Sequence, residues 1–243
     1  MEKEQVKPYA TSGSKKTQVS KMFDNIAPWY DFLNHLLSLG IDRSWRKKAI
    51  KELKTLKPKT LLDVATGTGD FAIEATRQLS PAKVIGIDIS NEMLEIGRRK
   101  MAKKGLDGRV ELLLADSENI PFANNTFDAV TVAFGVRNFD NLEKGIKEMN
   151  RVLKPGGRLV VLEFSRPTLF PFKQLYNFYF KNILPAIGRL TSKDPKAYSY
   201  LYESVQAFPD GKEFAEVLKS AGYQSVTYKA LTLGVCTIYR ASK

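Results

Sequence analysis

The sequence predicts an α/β protein built around a doubly wound, mostly parallel β-sheet. Between residues 60 and 164, short runs rich in Val, Ile and Leu alternate with longer segments of helical periodicity. Strands of this composition are buried on both faces, as they are in parallel sheets covered by helices. A glycine-rich turn, ATGTGD (65–70), follows the first strand. Because right-handed crossovers bring the carboxyl ends of parallel strands to one edge, we expect a ligand site there.

The N-terminal part is predicted to be helical after a short tail. Residues 1–17 are polar, and we expect them to be mobile. Apolar residues then recur at the spacing of an amphipathic helix, at Val19, Met22, Phe23, Ile26 and Ala27. This pattern predicts a helix over 19–27 that Pro28 ends. Two further helices are predicted over about 29–39 and 43–56.

From residue 60 onward, predicted strands and helices alternate. The strands are 60–65, 83–88, 109–116, 127–135 and 158–164, and the helices between them are 70–79, 91–105 and 142–154. The last predicted elements are a helix over 211–221 and strands over 225–231 and 232–242. The short connection between those two strands predicts an antiparallel pair. We therefore expect one domain over 18–243, in which the N-terminal helices (18–57) and a helical insertion (165–208) form the substrate side.

The composition excludes several kinds of site. The chain has one cysteine, Cys236, and one histidine, His35, so a disulfide within the chain is impossible and a zinc site of Cys and His ligands is disfavoured. We expect no metal site. A catalytic triad would have to use His35, which has no nucleophile motif near it. The first residues contain no apolar leader, so a cytoplasmic protein is expected.

The charge balance is strongly basic. Lys and Arg number 38 against 26 Asp and Glu, which gives a formal net charge of +12. Such an excess suits nucleic acid, an anionic membrane surface, or solubility alone. No RNA-recognition, KH, helix-turn-helix or zinc-finger pattern accompanies the charge. Nucleic acid is therefore not an expected partner, whereas weak association with an anionic membrane, at its inner face, remains a hypothesis.

Acidic residues stand at the ends of three successive predicted strands. These residues are Asp63, Asp88 and Asp116. Because the carboxyl ends of parallel strands meet at one edge, the three side chains should surround the glycine turn. Gly67 and Gly69 allow the backbone of that turn to approach a ligand closely. Asp88, about 20 residues beyond the turn, suits hydrogen bonding to two ribose hydroxyls.

The acids beside the turn decide which ligand is expected. Asp63 and Asp70 flank the position where a dinucleotide would place its pyrophosphate, and two carboxylates would repel a dianion. They would instead hold an ammonium and a sulfonium. Asp116, followed by Ser117, suits the exocyclic amine of adenine. S-adenosylmethionine has all of these groups and is the expected cofactor, although residues 67–72 also match the dinucleotide pattern G-x-G-x-x-A.

Three separate motifs give the sequence its most specific pattern. They are Tyr30-Asp31-Phe32-Leu33-Asn34 with Ser38 and Trp45, Phe134-Gly135-Val136-Arg137-Asn138, and Arg151-Val152-Leu153-Lys154-Pro155-Gly156-Gly157 continued by Glu163-Phe164-Ser165. Together they resemble the ubiquinone/menaquinone biosynthesis C-methyltransferases, over nearly the whole chain. The departures are modest. Leu33, Asp42 and Val136 stand where methionine, histidine and leucine are usual.

The resemblance implies a fold, a cofactor and a reaction. The fold is that of class I methyltransferases, a Rossmann-like sheet with an antiparallel C-terminal strand and a helical substrate cap. Thr68, Asp88, Asp116 and Ser117 are implied as contacts of S-adenosylmethionine. The implied reaction is methyl transfer to a ring carbon of a prenylated quinol, with demethylmenaquinol as the expected acceptor. The alternatives are the equivalent ubiquinone precursor, both precursors, or more distantly another small aromatic or a nucleic acid.

Arg137 and Asn138, expected at the mouth of the fourth strand, are the candidate catalytic residues. A quinol carbon becomes nucleophilic when an adjacent hydroxyl loses its proton. The two side chains could bind that oxygen and stabilise its negative charge. They could equally cap the loop after the strand, and both interpretations stay open. His35, Asp31 and Tyr30 are candidates for a general base.

The insertion carries an apolar stripe at helical spacing. Its residues are Phe172, Leu175, Tyr176, Tyr179, Phe180, Ile183, Leu184 and Ile187, with Lys173, Asn177 and Lys181 on the other face. The charges and Pro185 argue against a transmembrane helix. Two interpretations remain: a helix that covers the core, or a lid or tail channel at a membrane surface, where the lysines would face anionic headgroups.

Overall fold

The computed structural model describes residues 6–9, 12–38, 40–179, 182 and 195–243. Its helices are α1 (Lys15–Leu37), α2 (Ile41–Lys51), α3 (Asp70–Leu79), α4 (Asn91–Lys103), α5 (Leu142–Val152), α6 (Phe172–Phe178), α7 (Pro195–Ala207) and α8 (Lys212–Ser220). Its strands are β1 (Thr60–Val64), β2 (Lys83–Asp88), β3 (Val110–Leu114), β4 (Phe127–Ala133), β5 (Leu153–Phe164), β6 (Gln224–Leu231) and β7 (Cys236–Ser242). A short 3₁₀ turn, Val136–Asn138, follows β4.

The strands form one sheet in the order β3-β2-β1-β4-β5-β7-β6. β1 to β5 pair in parallel, and β7 runs antiparallel to both of its neighbours. The chain order reverses between the adjacent strands β1 and β4, where Leu62 lies beside Val130. Ligand sites of such sheets form at this switch point. The predicted doubly wound, mostly parallel sheet with an antiparallel C-terminal strand is confirmed.

The central strands of the sheet are buried on both faces, which explains their apolar composition. Along β1, Leu62 packs into a cluster with Phe214 of α8, whereas Leu61 packs into the cluster on the other face with Ile50 of α2 and Leu94 of α4. All five side chains are fully buried. Each buried side chain of this size contributes roughly 1.5–3 kcal/mol relative to an exposed one. The sheet is therefore a rigid floor for the loops at its carboxyl edge.

The first helix is longer than the sequence predicts. α1 continues through Pro28, which the pattern had marked as a helix end. Proline removes one backbone hydrogen bond from a helix interior, which disfavours this arrangement. The exposed ring of Pro28 follows the buried Ala27, and Met22 and Val19 are also buried along the same helix. Tertiary burial of this face offsets the missing bond, so the predicted break is wrong.

The start of α1 is tied to the loop after β4. α1 begins at Lys15, inside the segment predicted as a tail, and the Lys15 side chain is buried. Its Nζ donates to the backbone oxygens of Arg137 (3.1 Å) and Phe139 (2.9 Å). Burial lowers the pKa of Lys15 to about 8. The N-terminal turn of α1 is thus held against the predicted catalytic loop.

The insertion contributes α6 and α7 beside α1. Tyr176 of α6 and Tyr200 of α7 are buried in one cluster with Met22 of α1. Phe172 and Leu175 of the predicted stripe are exposed instead, so the described part of the stripe does not form a single buried face. The remaining stripe positions Phe180, Ile183, Leu184 and Ile187, together with Lys181 and Pro185, lie outside the described residues. Within the described chain, no helix is both long and apolar enough to cross a bilayer.

Candidate active site

A cleft at the carboxyl ends of β1 to β4 brings together four of the predicted cofactor residues. Its empty volume, partly open to solvent, is about 650 Å³. The end of β2 supplies Asp88, and the loops after β1 and β3 supply Gly67, Asp116 and Ser117. One face of α1 forms the opposite wall through Lys16, Val19, Phe23 and Tyr30. We call this space the strand-end cleft.

The glycine turn between β1 and α3 has the conformation that its residues allow. Gly67 has φ +55°, and a Cβ there would meet nothing within 4 Å, so its backbone faces open space. Gly69 has φ +83°, and a Cβ there would come within 2.3 Å of the Met101 side chain. Gly67 therefore offers a close approach for a ligand. Gly69, which is not among the residues lining the cleft, lets the chain turn tightly into α3.

Asp88 is fixed by backbone groups on both of its oxygens. The Gly67 N–H donates to Oδ2 at 2.8 Å, and the Ser90 N–H donates to Oδ1 at 2.9 Å. Burial raises the pKa of Asp88, although these N–H groups oppose the rise. A carboxylate keeps further lone pairs on each oxygen, so this fixed group can still accept hydrogen bonds from two hydroxyls in the cleft.

Asp116 is connected to α1 by an ion pair. Lys16 Nζ lies 2.7 Å from Asp116 Oδ2 and 3.2 Å from Glu118 Oε2. The Glu118 N–H donates to Asp116 Oδ1 at 2.9 Å. Glu118 also accepts from the N–H groups of Asp140 and Asn141, so it fixes the loop after β4. Sequence reasoning missed Lys16, because it belonged to the predicted tail and only the docking of α1 brings it here.

Asp63 lies beneath the turn rather than in the strand-end cleft. It is buried, with Thr66 Oγ1 donating to Oδ2 at 2.6 Å and Thr131 Oγ1 donating to Oδ1 at 2.7 Å. Burial raises its pKa to about 6, against the effect of the two hydroxyls. Asp63 therefore holds the turn through Thr66. It also lines a smaller polar cavity, and its contact with the cofactor stays a prediction.

A compact set of charges surrounds the turn on its other side. Lys100 Nζ lies 2.6 Å from Asp70 Oδ1 and 2.6 Å from Asp31 Oδ2. Thr68 Oγ1 donates to Asp31 Oδ1 at 2.6 Å and accepts from Lys100 at 2.9 Å. Burial disfavours the charge on Asp70, but Lys100 and Arg46 together hold the pKa of Asp70 below its usual value. Thr68 is buried within this set and lines the smaller polar cavity, not the strand-end cleft.

A second, mostly apolar cavity adjoins the strand-end cleft. Its empty volume is about 550 Å³. It shares Phe23, Tyr30, Phe134 and Asn138 with the cleft, and aromatic side chains form much of its lining. Residues of α7 close another side of it. We call it the aromatic cavity.

The predicted catalytic residues, Arg137 and Asn138, lie in the wall of the aromatic cavity. Arg137 Nη1 lies 2.6 Å from Glu163 Oε1 and also donates to the backbone oxygen of Phe134. Its guanidinium lies 5.3 Å from the ring centre of Phe164. Burial raises the pKa of Glu163, and Arg137 opposes that rise. Within the described part of the chain, Arg137 Nε and Asn138 Oδ1 are buried without a hydrogen-bond partner.

The three candidate bases occupy different surroundings on α1. His35 Nδ1 lies 3.0 Å from Asp42 Oδ2, and His35 is not among the residues lining the described cavities. Asp31 is bound by Thr68 and Lys100, as given above. Tyr30 lines the strand-end cleft, the aromatic cavity and the smaller polar cavity, and burial raises its pKa. The positions of these three residues in the sequence did not indicate that their surroundings differ.

The donor and acceptor groups fit an adenosyl ligand that carries a cationic tail. Asp88 and Asp116 present carboxylates to the cleft, and Ile89 and Met93 supply apolar lining between them. Around the glycine turn the acids Asp63 and Asp70, with Asp31 nearby, disfavour a pyrophosphate. The fold and this site define a class I methyltransferase that uses S-adenosylmethionine.

Comparison with known proteins identifies the family. The model of the ubiE/COQ5 methyltransferase family matches residues 11–243, and the chain belongs to this family. A demethylmenaquinone methyltransferase of Bacteroides fragilis is 52% identical over 240 residues, covering 99% of this chain and 98% of that protein. The ubiquinone/menaquinone biosynthesis C-methyltransferase UbiE of Geotalea daltonii is 49% identical over 230 residues, covering 94% and 97%. The predicted family is confirmed.

Solved structures show the same fold at low sequence identity. A SAM-dependent methyltransferase of Thermotoga maritima, described as a possible histamine N-methyltransferase, has a TM-score of 0.66 and 19% identity, covering 92% of this chain and 99% of that chain. The [4+2]-cyclase SpnF has a TM-score of 0.69 and 18% identity, covering 94% and 96%. The predicted fold class is confirmed. The predicted S-adenosylmethionine cofactor is confirmed by the family to which the chain belongs, and the roles of single residues stay predictions.

Proposed function

We propose that this chain transfers the methyl group of S-adenosylmethionine to a ring carbon of demethylmenaquinol, which gives menaquinol, S-adenosylhomocysteine and a proton. The name of the B. fragilis relative supports this acceptor, because 52% identity extends over nearly both whole chains. The G. daltonii relative is named for both quinone pathways. The equivalent ring methylation of a ubiquinone precursor is therefore the second candidate.

The aromatic cavity is the observation that carries this proposal. A fused aromatic ring needs a mostly apolar pocket with few polar groups, beside the methyl donor. The aromatic cavity meets that need, since Phe134 and Tyr30 line both it and the strand-end cleft. Met22 of α1 and Ala197 of α7 close its far side. We assign the substrate side of the domain to the helices within 18–57 and the insertion 165–208.

Arg137 and Asn138 are proposed to bind the quinol oxygen next to the reacting carbon. A hydroxyl can accept a hydrogen bond from the Arg137 Nε–H and donate one to Asn138 Oδ1, and both atoms are without a partner within the described residues. When that hydroxyl ionises, the guanidinium stabilises the negative charge on its oxygen. Glu163 holds the guanidinium in place through the 2.6 Å contact. Arg137 also donates to the backbone oxygen of Phe134, so it caps the loop while its Nε–H faces the substrate oxygen in this proposal.

The remaining contributions of the chain are positioning and exclusion of water. When bound, S-adenosylmethionine supplies an electrophilic methyl group on its sulfonium. Gly67, Asp88 and Asp116 would hold that cofactor, and the apolar lining of the aromatic cavity would place the acceptor ring beside it. Low exposure of Arg137 to solvent strengthens its interaction with a developing charge.

A weak association with an anionic membrane surface belongs to the same proposal. Its support is a set of exposed apolar side chains in and before α6: Leu169, Phe170, Phe172, Leu175 and Phe178. The exposed Lys173 lies among them. Because a prenylated quinol partitions into lipid, such a surface would bring the aromatic cavity near its substrate. The chain would then act at the inner face of the membrane.

Quinone profiling of a strain that lacks the gene tests the acceptor. Under this proposal the strain accumulates demethylmenaquinone and loses menaquinone, and the restored gene reverses both changes. Accumulation of a ubiquinone precursor alone would move the activity to the second candidate. An unchanged quinone profile would contradict the proposed function.

A further inference from the structure

The smaller polar cavity lies beside the glycine turn. Its empty volume is about 340 Å³. It shares Tyr30 and Gly67 with the strand-end cleft, so the two spaces adjoin at the turn. Asp63 and Asp70 line this polar cavity, and one arginine, Arg46 of α2, lines it too. A site that held only an ammonium would not need this cation beside its two acids.

Arg46 is a buried and firmly held cation. Its Nη1 contacts Asp42 one helical turn earlier, and Asp42 also accepts from Ser38 Oγ at 2.7 Å and pairs with His35. The guanidinium lies 5.5 Å from the ring centre of Phe134. Burial disfavours the charge on Asp42, but Arg46 with its other partners holds the pKa of Asp42 below its usual value. The position of the guanidinium is thus fixed before any ligand binds.

Arg46 also favours the ionised forms of Asp63 and Asp70, the acids of the turn. Burial raises the pKa of Asp63 and disfavours the charge on Asp70, and in both cases Arg46 acts in the opposite direction. Asp70 already has a partner of its own in Lys100 at 2.6 Å. Arg46 is therefore not needed to neutralise Asp70. The cavity offers one guanidinium and carboxylates within the same small space.

We propose that Arg46 binds the carboxylate of the methionine tail of S-adenosylmethionine, with the acids of the turn on the ammonium side. An α-amino acid carries a carboxylate and an ammonium on one carbon, so it requires a cation and an anion close together. A guanidinium presents a planar set of N–H donors that suits a carboxylate better than a lysine does. Arg46 would then select the cofactor by its amino-acid end, while Asp88 and Asp116 bind its nucleoside end.

The competing interpretation makes Arg46 only the structural partner of Asp42. Loss of Arg46 would then weaken all adenosyl ligands equally, by loosening α2 and the cavity wall. The two interpretations differ in whether the effect depends on the ligand carboxylate. A ratio of affinities for two ligands in the same variant separates them, since partial unfolding cancels from such a ratio.

The experiment compares S-adenosylhomocysteine with its decarboxylated analogue, S-adenosyl-3-thiopropylamine, by calorimetry. We expect the unmodified protein to bind the analogue about tenfold to a hundredfold more weakly, as loss of a charge-assisted hydrogen bond predicts. In Arg46→Met, S-adenosylhomocysteine should weaken by a similar factor and the preference should shrink to about threefold or less. Arg43→Met removes an exposed arginine from the same helix and should leave the preference unchanged.

Three results would overturn the assignment. The first is equal affinity of the unmodified protein for both ligands. The second is an undiminished preference in Arg46→Met, or in Arg46→Lys should the methionine variant fail to fold. The third is an equal weakening of 5′-methylthioadenosine, which lacks the amino-acid tail, since only a structural role explains it. Arg46→Lys should keep part of the preference, because it keeps the charge and loses the planar fork. The test needs no acceptor substrate, so it can fail while the proposed function holds.

Discussion

Asp88 ends β2 and Asp63 lies one residue before the end of β1, yet their surroundings give them different tasks. Asp88 lines the strand-end cleft with both oxygens fixed by backbone N–H groups. Asp63 is buried below the turn, and two hydroxyls occupy its oxygens. At the scale of single residues, Asp88 is thus placed to contact the cofactor directly. Asp63 acts first on the loop that carries Gly67.

Replacing Asp88 tests the nucleoside end of the site. In Asp88→Ala, we expect S-adenosylhomocysteine to bind at least about tenfold more weakly, because each hydrogen bond to a charged group contributes roughly 1.5–3 kcal/mol. Asp107→Ala, at an exposed position, is the control and should bind normally. Isothermal calorimetry measures both. Unchanged affinity in Asp88→Ala, or tight NAD binding by the unmodified protein, would contradict the assignment.

The buried carboxyl group of Asp63 should make the free energy of unfolding depend on pH. Its pKa rises from 3.8 to about 6 on folding, so the folded state disfavours its ionised form. The free energy of unfolding should therefore fall by roughly 3 kcal/mol from this group alone as the pH rises from below 4 to above 6. Asp63→Asn cannot titrate and should lack this fall. Urea unfolding at pH 4 and pH 7 measures the difference between the two proteins, and a difference that is the same at both pH values would refute this account of Asp63.

Arg137 is tested by separating turnover from cofactor binding. If Arg137 stabilises the ionised quinol oxygen, Arg137→Ala should lower kcat about a hundredfold and leave the affinity for S-adenosylhomocysteine nearly unchanged. Arg137→Lys keeps a cation beside Glu163, so the buried carboxylate is not left unpaired. This variant should also lose most of kcat, because lysine lacks the Nε–H that is proposed to bind the quinol oxygen. Equal losses of turnover and cofactor affinity in both variants would favour a purely loop-capping role.

Among the helices and strands, the sequence predicted best those features whose position follows from the topology of the sheet. The bounds of α3 and β2 are as predicted, and Asp88 and Asp116 line one cleft because parallel strands share one carboxyl edge. Asp63, the third of these acids, is buried below the turn instead. β5 begins at Leu153, five residues before its predicted start, because Leu153 pairs with Phe127 across a register shift. Such long-range pairing leaves no local signal.

Three residues of the site were not found from the sequence, and all three were missed for the same reason. Lys16, Arg46 and Lys100 lie on α1, α2 and α4, and each reaches the site only through the docking of its helix. The continuation of α1 through Pro28 was missed for the same reason, since burial of one face overrides a local helix-ending signal. Motif spacing within the sequence carries no information on these tertiary contacts.

Several polar contacts join α1 to the loops of the sheet, and hydrogen exchange can test how much one of them contributes. Asp24 Oδ1 accepts from Ser90 Oγ at 2.6 Å and lies outside the lining of the strand-end cleft. Asp24→Ala should speed amide exchange in α1 at least about threefold and leave β1 and β4 unchanged, because those strands belong to the buried core. Lys21→Ala, at an exposed position of α1, is the control. Faster exchange throughout the sheet would mean that α1 is part of the core.

At the level of the whole molecule, the proposed membrane association depends on the exposed apolar side chains around α6 and on the net charge of +12. Lys173→Glu should weaken binding to anionic vesicles at least about fivefold, since each basic residue near such a surface contributes about 1 kcal/mol. Lys147→Glu on α5 changes the net charge equally and should have a smaller effect. Vesicle sedimentation at two salt concentrations measures both. Equal effects would show that net charge alone governs binding, with no role for α6.

Methyl transfer to the ring carbon of demethylmenaquinol can be followed with an isotope label. The purified protein is incubated with S-adenosylmethionine carrying a ¹³C-methyl group and with reduced or oxidised demethylmenaquinone. We expect the label on the ring carbon of menaquinol, only with the reduced acceptor, because only the quinol offers an oxygen whose ionisation makes the carbon nucleophilic. Label on an oxygen, equal transfer to the oxidised quinone, or no transfer to either form would contradict it.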